Sequence, residues 1–95
     1  MQVQIAFRHM ESSEALKDYI HKKLEKFDRF AEFLLDVAVT LTQEKQRAVV
    51  EFVAAVKGDT LKCKEESEDM YASVDKGAAT LERMIKRHRE HVRDH

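Results

Sequence analysis

Apolar and polar residues alternate one for one over residues 2–7, putting Val3, Ile5 and Phe7 on one face, the pattern of a strand with one buried side. The same period of two returns over residues 36–42, with Val37, Val39 and Leu41 inward. It returns again over residues 48–57, with Val50, Phe52, Ala54 and Val56 inward and Glu51 outward, and over residues 60–66, with Leu61 and Cys63 inward. Polar residues 43–47 predict one turn, and Gly58 with Asp59 supplies the chemistry of a hairpin turn. Two stretches switch to a helical period. From Ser12 or Ser13, either of which can cap a helix that Glu14 then favours at its positive end, Leu16, Tyr19, Ile20, Leu24, Phe27 and Phe30 share one arc to about residue 31. Over residues 69–94, Met70, Val74, Gly77, Ala78, Leu81, Met84 and Ile85 share another.

Helices with one apolar stripe and strands with one buried face have an economical solution, an α+β two-layer sandwich. The expected fold is β-α-β-β-β-α, a four-stranded sheet with two helices packed on one face. Proline is absent and glycine occurs twice, so no linker divides the chain, and 95 residues at 43% hydrophobic content fit one domain over residues 1–95. The second helix exceeds its bed. About 25 residues at roughly 1.5 Å each span about 37 Å, whereas an eight-residue strand spans about 26 Å, so its last turns are expected to project.

Charge changes the picture locally rather than globally. Seventeen basic residues against eighteen acidic ones leave a formal net charge of −1, so any attraction to a polyanion must come from a patch. Lys22, Lys26 and Arg29 line one shoulder of the first helix, while Lys23 falls inside the apolar arc, its stem along the core and its ammonium at the edge. Lys76, Arg83 and Arg87 share a narrow band on the second helix, which Lys86, Arg89 and Arg93 continue toward its end. A charged face is also what ordinary surface helices have. Complementing the helix dipole accounts for one or two of these cations, not for a line that begins at Lys76.

Other chemistry is sparse. No run approaches the roughly 18 apolar residues of a membrane span, and residues 1–8 lack the order of a signal peptide, so a cytoplasmic protein without a membrane partner is expected. Cys63, the single cysteine, is expected as a small buried thiol. No Ser/His/Asp set, phosphate loop or paired catalytic acid and base emerges, so neither an enzyme, a small-molecule substrate nor a cofactor is expected. His88, His91 and His95 share a helical face at i, i+3, i+7, but helix ends fray and no carboxylate completes a metal site. Glu65, Glu66, Glu68 and Asp69 are expected as an acidic cap on the second helix. Tyr19 and Tyr71 border the apolar arcs and are expected in the core rather than stacked on bases.

Several segments together resemble a known family. The element order, the run Ala15, Leu16, Lys17, Asp18, Tyr19, Ile20 with Lys22, Lys23, Leu24 and Lys26, and the run Glu68, Asp69, Met70, Tyr71, Ala72, Ser73, Val74, Asp75 with Leu81, Glu82, Arg83 resemble the ribosome hibernation-promoting factors. That family includes the ribosome-associated inhibitor and is also labelled sigma-54 modulation proteins. The resemblance covers essentially the whole chain. It implies a stress and stationary-phase protein that binds the small ribosomal subunit and its ribosomal RNA in the channel for messenger and transfer RNA, inhibiting translation and favouring inactive ribosomes. It places RNA contacts on Lys22, Lys23, Lys26, Arg29, Lys76, Arg83, Lys86, Arg87 and Arg89, in a protein expected to be monomeric when free. Two positions depart from the family pattern. Ala6 and Phe7 precede Arg8 and His9 where many members have a glycine, so no contact carries over from that loop, and Gly77 and Ala78 stand where bulkier helix formers are common. The chain resembles either the short form or the first domain of a long form. A reading of another class is a protein-interaction module that dimerises through the outer sheet face, where Val49, Val53 and Ala55 lie.

Overall fold

A computed structural model describes residues 1–93, with side chains to residue 91. It contains β1 (Gln2–Arg8), α1 (Glu14–Leu24), a 3-10 helix (Glu25–Phe30), β2 (Leu34–Glu44), β3 (Arg47–Val56), β4 (Asp59–Ser67) and α2 (Met70–Arg93). The sheet order is β1-β2-β3-β4, with β1 parallel to β2 and the other pairs antiparallel. A parallel pair cannot be joined by a hairpin, so α1 and the 3-10 helix form the crossover between β1 and β2. Register sets Ile5, Val39, Phe52 and Cys63 in one row across the inner face. One apolar core joins that face to Leu16, Ile20 and Leu24 of α1 and to Val74, Ala78, Leu81 and Ile85 of α2. The expected sandwich is the observed one.

Element ends differ from the sequence reading for physical reasons. The first helix does not run on to residue 31 as α-helix; it tightens after Leu24. Leu24, Phe27 and Phe30 are spaced by three and all at most 1% exposed. A three-residue turn eclipses i and i+3, aiming all three at the core, whereas a 3.6-residue turn would rotate them apart. The β2–β3 turn shrinks to Lys45 and Gln46, because the Gln43 side-chain amide donates to the carbonyls of both Lys45 and Arg47 at 3.2 Å, and Lys45 takes a φ of 51°. β2 starts earlier than residue 36, at Leu34, through an irregularity that turns Leu35 outward.

α2 lies over β3 and β4. Its first turn is capped by Asp69, whose carboxylate accepts from the Ala72 N–H at 3.1 Å. Ser13 does the same for α1, accepting from Leu16 N–H at 3.1 Å. Ser73, fully buried, donates to the Ala48 carbonyl at 2.6 Å and sits 2.7 Å from the Ser67 hydroxyl, pinning the start of α2 to β3 and β4. One turn on, Gly77 rests on the Phe52 ring. A Cβ there would lie 2.8 Å from Phe52 Cδ2 and 3.1 Å from Val50 Cγ1, inside contact distance. The bed also proves longer than the strands alone provide. Ile85 is fully buried, the His88 ring lies 6.4 Å from Phe33, and the Arg89 guanidinium sits 5.1 Å above Phe30. Phe30 and Phe33, outside the strands, extend the support, so His88 and Arg89 stay half-buried while Lys86, Arg87, Glu90 and His91 are exposed.

Replacing Gly77 by Ala gains about 1 kcal/mol of helix propensity but drives a methyl into a ring with nowhere to move, an overpacking cost of about 1–3 kcal/mol. Because the Phe52 ring is fully enclosed, the cost is expected to win. Gly77→Ala should lower the urea midpoint at unchanged m-value, and an equal or higher midpoint would show that α2 can lift without penalty.

Candidate nucleic-acid interface

The seam between the two helices is built by two carboxylates of α2. Asp75 and Glu82 stand seven residues, two turns, apart, which puts them on one shoulder of the helix, the one facing α1. Asp75 accepts the Tyr19 hydroxyl at 2.6 Å and lies 3.1 Å from the Lys23 ammonium. Glu82 receives Lys26 at 3.2 Å, Arg29, and from one turn along its own helix Lys86 at 3.5 Å. Above the upper contact, the Tyr19 and Tyr71 rings meet edge to face with centroids 5.0 Å apart. Below the lower one, the Arg29 and Arg89 guanidiniums lie 4.8 and 5.1 Å from the Phe30 ring. Lys22 lines the adjoining shallow groove with Tyr19, Lys23, Glu25 and Lys26.

Electrostatics follow the geometry. The Tyr19 hydrogen bond, helped by Lys23, holds Asp75 below the ordinary carboxylate value. The same hydrogen bond raises the Tyr19 phenol, and Asp75 raises the Lys23 ammonium. At Glu82, burial pulls the pKa upward, but Lys26, Lys86 and Arg29 outweigh it and the net shift is downward. Cys63 hangs on the inner face 3.6 Å from the Gly77 carbonyl; burial, with Glu65 nearby, pushes its thiol up to about 11, so it stays protonated at neutral pH.

The nine cations named from the sequence therefore fall into groups. Lys22, Lys23, Lys26, Arg29 and Lys86 gather along the seam, with Arg89 half-buried at its end. Lys76, Arg83 and Arg87 lie about 100–140° round α2 at about 100° per residue, toward β4. There Arg83 donates to the Thr80 hydroxyl at 3.1 Å, and that hydroxyl donates to Glu65 at 2.9 Å. Lys22, Lys76 and Arg87 make no ion pair among the described residues. The side chain of Arg93 lies outside them.

Other expectations are corrected. Tyr71 is 38% exposed and meets Tyr19 edge to face at the junction of the helices, whereas Tyr19 is partly buried and packs against the core. Of the four acids preceding α2, only Asp69 caps it; Glu65 faces Thr80 and Glu66 bridges to Arg47 across the outer face at 3.4 Å. Val49 is 4% exposed, flanked in register by Thr42 and Glu66, so the outer face offers less apolar surface than its sequence promises. His88 packs on Phe33, 3.9 Å from Asp59, while His95 lies outside the described residues. No group of three potential metal ligands converges among the described residues. Asp75 and Glu82 were not singled out from the sequence. Their signal was there: acids spaced by seven on one helix match cations spaced by three, Lys23, Lys26 and Arg29, on the other.

Fold and seam together define a β-α-β-β-β-α sandwich that carries eleven of its seventeen lysines and arginines on the helix layer. The chain belongs to the sigma 54 modulation protein / S30EA ribosomal protein family, whose sequence model it matches over residues 3–93. It is 34% identical over 90 residues to a ribosome hibernation promoting factor of Pseudomonas putida, covering 95% of this chain and 88% of that protein. To the ribosome hibernation promoting factor of Salmonella typhimurium it is 30% identical over the full length of both. Among solved structures, the N-terminal domain of Thermus thermophilus Protein Y superposes with a TM-score of 0.83 at 30% identity, covering 92% of this chain and 98% of that one.

Depressed carboxylates contribute stability that is present above their unfolded pKa and lost as pH falls through the folded one. With ordinary values of 3.8 for Asp75 and 4.5 for Glu82, the seam's contribution is complete above about pH 5 and drains away below it. Each half-screened bridge is worth at most about 1 kcal/mol. Asp75→Asn combined with Glu82→Gln should therefore reduce the acid-side loss of urea stability between pH 6 and pH 3. An identical loss in wild type and double variant would mean the seam does not couple to protons.

Proposed function

We propose that this protein is a ribosome hibernation factor whose domain, residues 1–95, binds the small ribosomal subunit through the basic side of its helix layer. It occupies the channel used by messenger and transfer RNA, inhibits translation and stabilises inactive ribosomes under stress or in stationary phase, acting in the cytoplasm as a monomer. The relatives named ribosome hibernation promoting factor, one of them matched end to end, support the ribosome as partner. The observation that carries the RNA contact is the charge surplus of the helix layer. Of the nine cations only Lys23, Lys26, Arg29 and Lys86 meet a carboxylate of the seam, Asp75 or Glu82, and their side chains keep 40%, 54%, 48% and 46% of their accessible surface.

Phosphates of ribosomal RNA are the groups such a surface takes. Arginines offer forked hydrogen bonds to phosphate oxygens and lysines act as point charges. Duplex RNA hides its base edges in a deep narrow groove, so a rigid pair of helices reads backbone shape rather than sequence. Neutralising about six to eight phosphates makes the affinity fall steeply with salt.

Reversal to glutamate is most informative at cations that hold no bridge. Lys22, Lys76, Arg83 and Arg87 replaced together by Glu should leave the circular dichroism spectrum intact and abolish co-sedimentation with small subunits on gradients. For single reversals that still bind, each lost phosphate contact should lower the log–log salt slope by about 1. Co-sedimentation undiminished by the four reversals, or indifferent to salt in the wild type, would refute the RNA contact.

A further inference from the structure

Among the carboxylates of the helix layer, Glu82 stands apart in its stoichiometry. One carboxylate faces three cations, Lys26, Arg29 and Lys86, drawn from the 3-10 helix and from α2. It is also recessed: its side chain is 18% accessible, while those of Lys26, Arg29 and Lys86 keep 54%, 48% and 46%. The negative charge thus lies beneath and the positive ends lie above, with two charges left over and turned to solvent. Asp75, two turns earlier on the same shoulder, is the internal contrast. It meets one cation, Lys23, and a neutral hydroxyl, leaving no surplus.

We propose that Glu82 is a positioning residue for RNA, a carboxylate that gathers Lys26, Arg29 and Lys86 into one cationic locus where a backbone phosphate of the small subunit docks. This rests on the ribosome-binding reading above. Three long cations on adjacent helices repel one another and, left alone, spread over many rotamers. A shared carboxylate at their base cancels part of the repulsion and fixes their directions before the ligand arrives, so less ordering remains to be done on binding. The Arg29 guanidinium additionally lies 4.8 Å from the centre of the Phe30 ring, a contact that narrows its choice of rotamers. A phosphodiester carries one negative charge on two free oxygens, and the surplus of two positive charges over Glu82 accommodates it without desolvating an unpaired ion.

The proposal makes an unusual demand. Glu82→Gln removes a negative charge and takes the chain from −1 to neutral, which by long-range electrostatics alone strengthens attraction to a polyanion. If Glu82 gathers the cations, binding weakens instead. Affinity for purified small ribosomal subunits would be measured at one fixed low salt for wild type, Glu82→Gln, Glu82→Asp and Asp75→Asn, each checked for fold by circular dichroism. Glutamine is isosteric and a comparable helix former, so the fold is expected to hold. The expected result is a loss of about tenfold or more for Glu82→Gln, with Asp75→Asn equal to or tighter than wild type. Glu82→Asp, which keeps the charge, is expected within about threefold of wild type. Glu82→Gln binding as well as or better than wild type overturns the proposal while leaving the ribosome reading intact. Glu82→Asp as weak as Glu82→Gln also overturns it, by assigning the effect to side-chain shape. A wild type that does not bind the subunit at all sinks the ribosome reading, and this proposal with it.

Discussion

The seating of α2 on Phe52 through Gly77 is the contact on which the arrangement of the helix layer depends. Absence of a side chain at that one position lets the helix axis approach β3 closely, and the buried Ser73 hydroxyl locks the preceding turn to the Ala48 carbonyl. Two fixed points a turn apart leave α2 no freedom to roll about its axis. Val74, Leu81 and Ile85 must then face the sheet, and by helical geometry Asp75 and Glu82 must face α1. Lifted by a methyl or rolled by a few tens of degrees, the same residues would present their acids to solvent and the seam would not close.

Magnitudes separate what holds the fold from what shapes its surface. Each fully buried large side chain contributes about 1.5–3 kcal/mol, and twelve of them, Ile20, Phe27, Phe52 and Ile85 included, are almost wholly enclosed. The seam bridges are partly exposed, and such bridges contribute roughly 0–1 kcal/mol each. The core therefore dominates stability by about an order of magnitude. Bridges of that size do little to keep helices together, but they suffice to choose among rotamers of long side chains, whose ordering costs are of similar size. Their effect is on where charge is held.

Much of this was legible in the chain. Alternation at Val37, Val39 and Leu41 and at Val50, Phe52, Ala54 and Val56 fixed the buried face of the two central strands, because a slip of one residue would turn Glu51 inward. The helical arc from Met70 to Ile85 gave the side of α2 that meets the sheet. What escaped has a common cause: it depends on pairs remote in sequence. Periodicity within α2 cannot show that Glu82 will lie beside Lys26 and Arg29, residues more than fifty positions earlier, nor that Phe30 and Phe33 will extend the bed under His88 and Arg89. Tyr19 and Tyr71 lay at the border of their arcs, where angle alone does not decide between core and surface; packing puts Tyr19 against the core and leaves Tyr71 38% exposed. Among the site residues, Lys22, Lys76 and Arg87 could be read as unpaired only once the positions of the acids were known.

A formal charge of −1 looks at first like a poor match for the proposed partner, which is rich in phosphate. Distance resolves this. At physiological ionic strength an exposed charge is screened beyond about 8 Å, whereas the domain measures 20 and 18 Å even across its shorter axes. On the proposed reading, a docking phosphate would respond to the charges of the seam and the adjoining α2 shoulder rather than to Glu44, Glu51 or Glu66 on the strands. Acids on the strands bring the whole molecule near neutrality at little cost to the field beside the seam cations. Within the seam the same screening makes proximity decisive: Glu82 influences Lys26, Arg29 and Lys86 because it touches them. A carboxylate on the face proposed to meet a polyanion is then a contradiction only if charge is counted over the molecule. Counted over a few ångströms, it is a means of holding three like charges together.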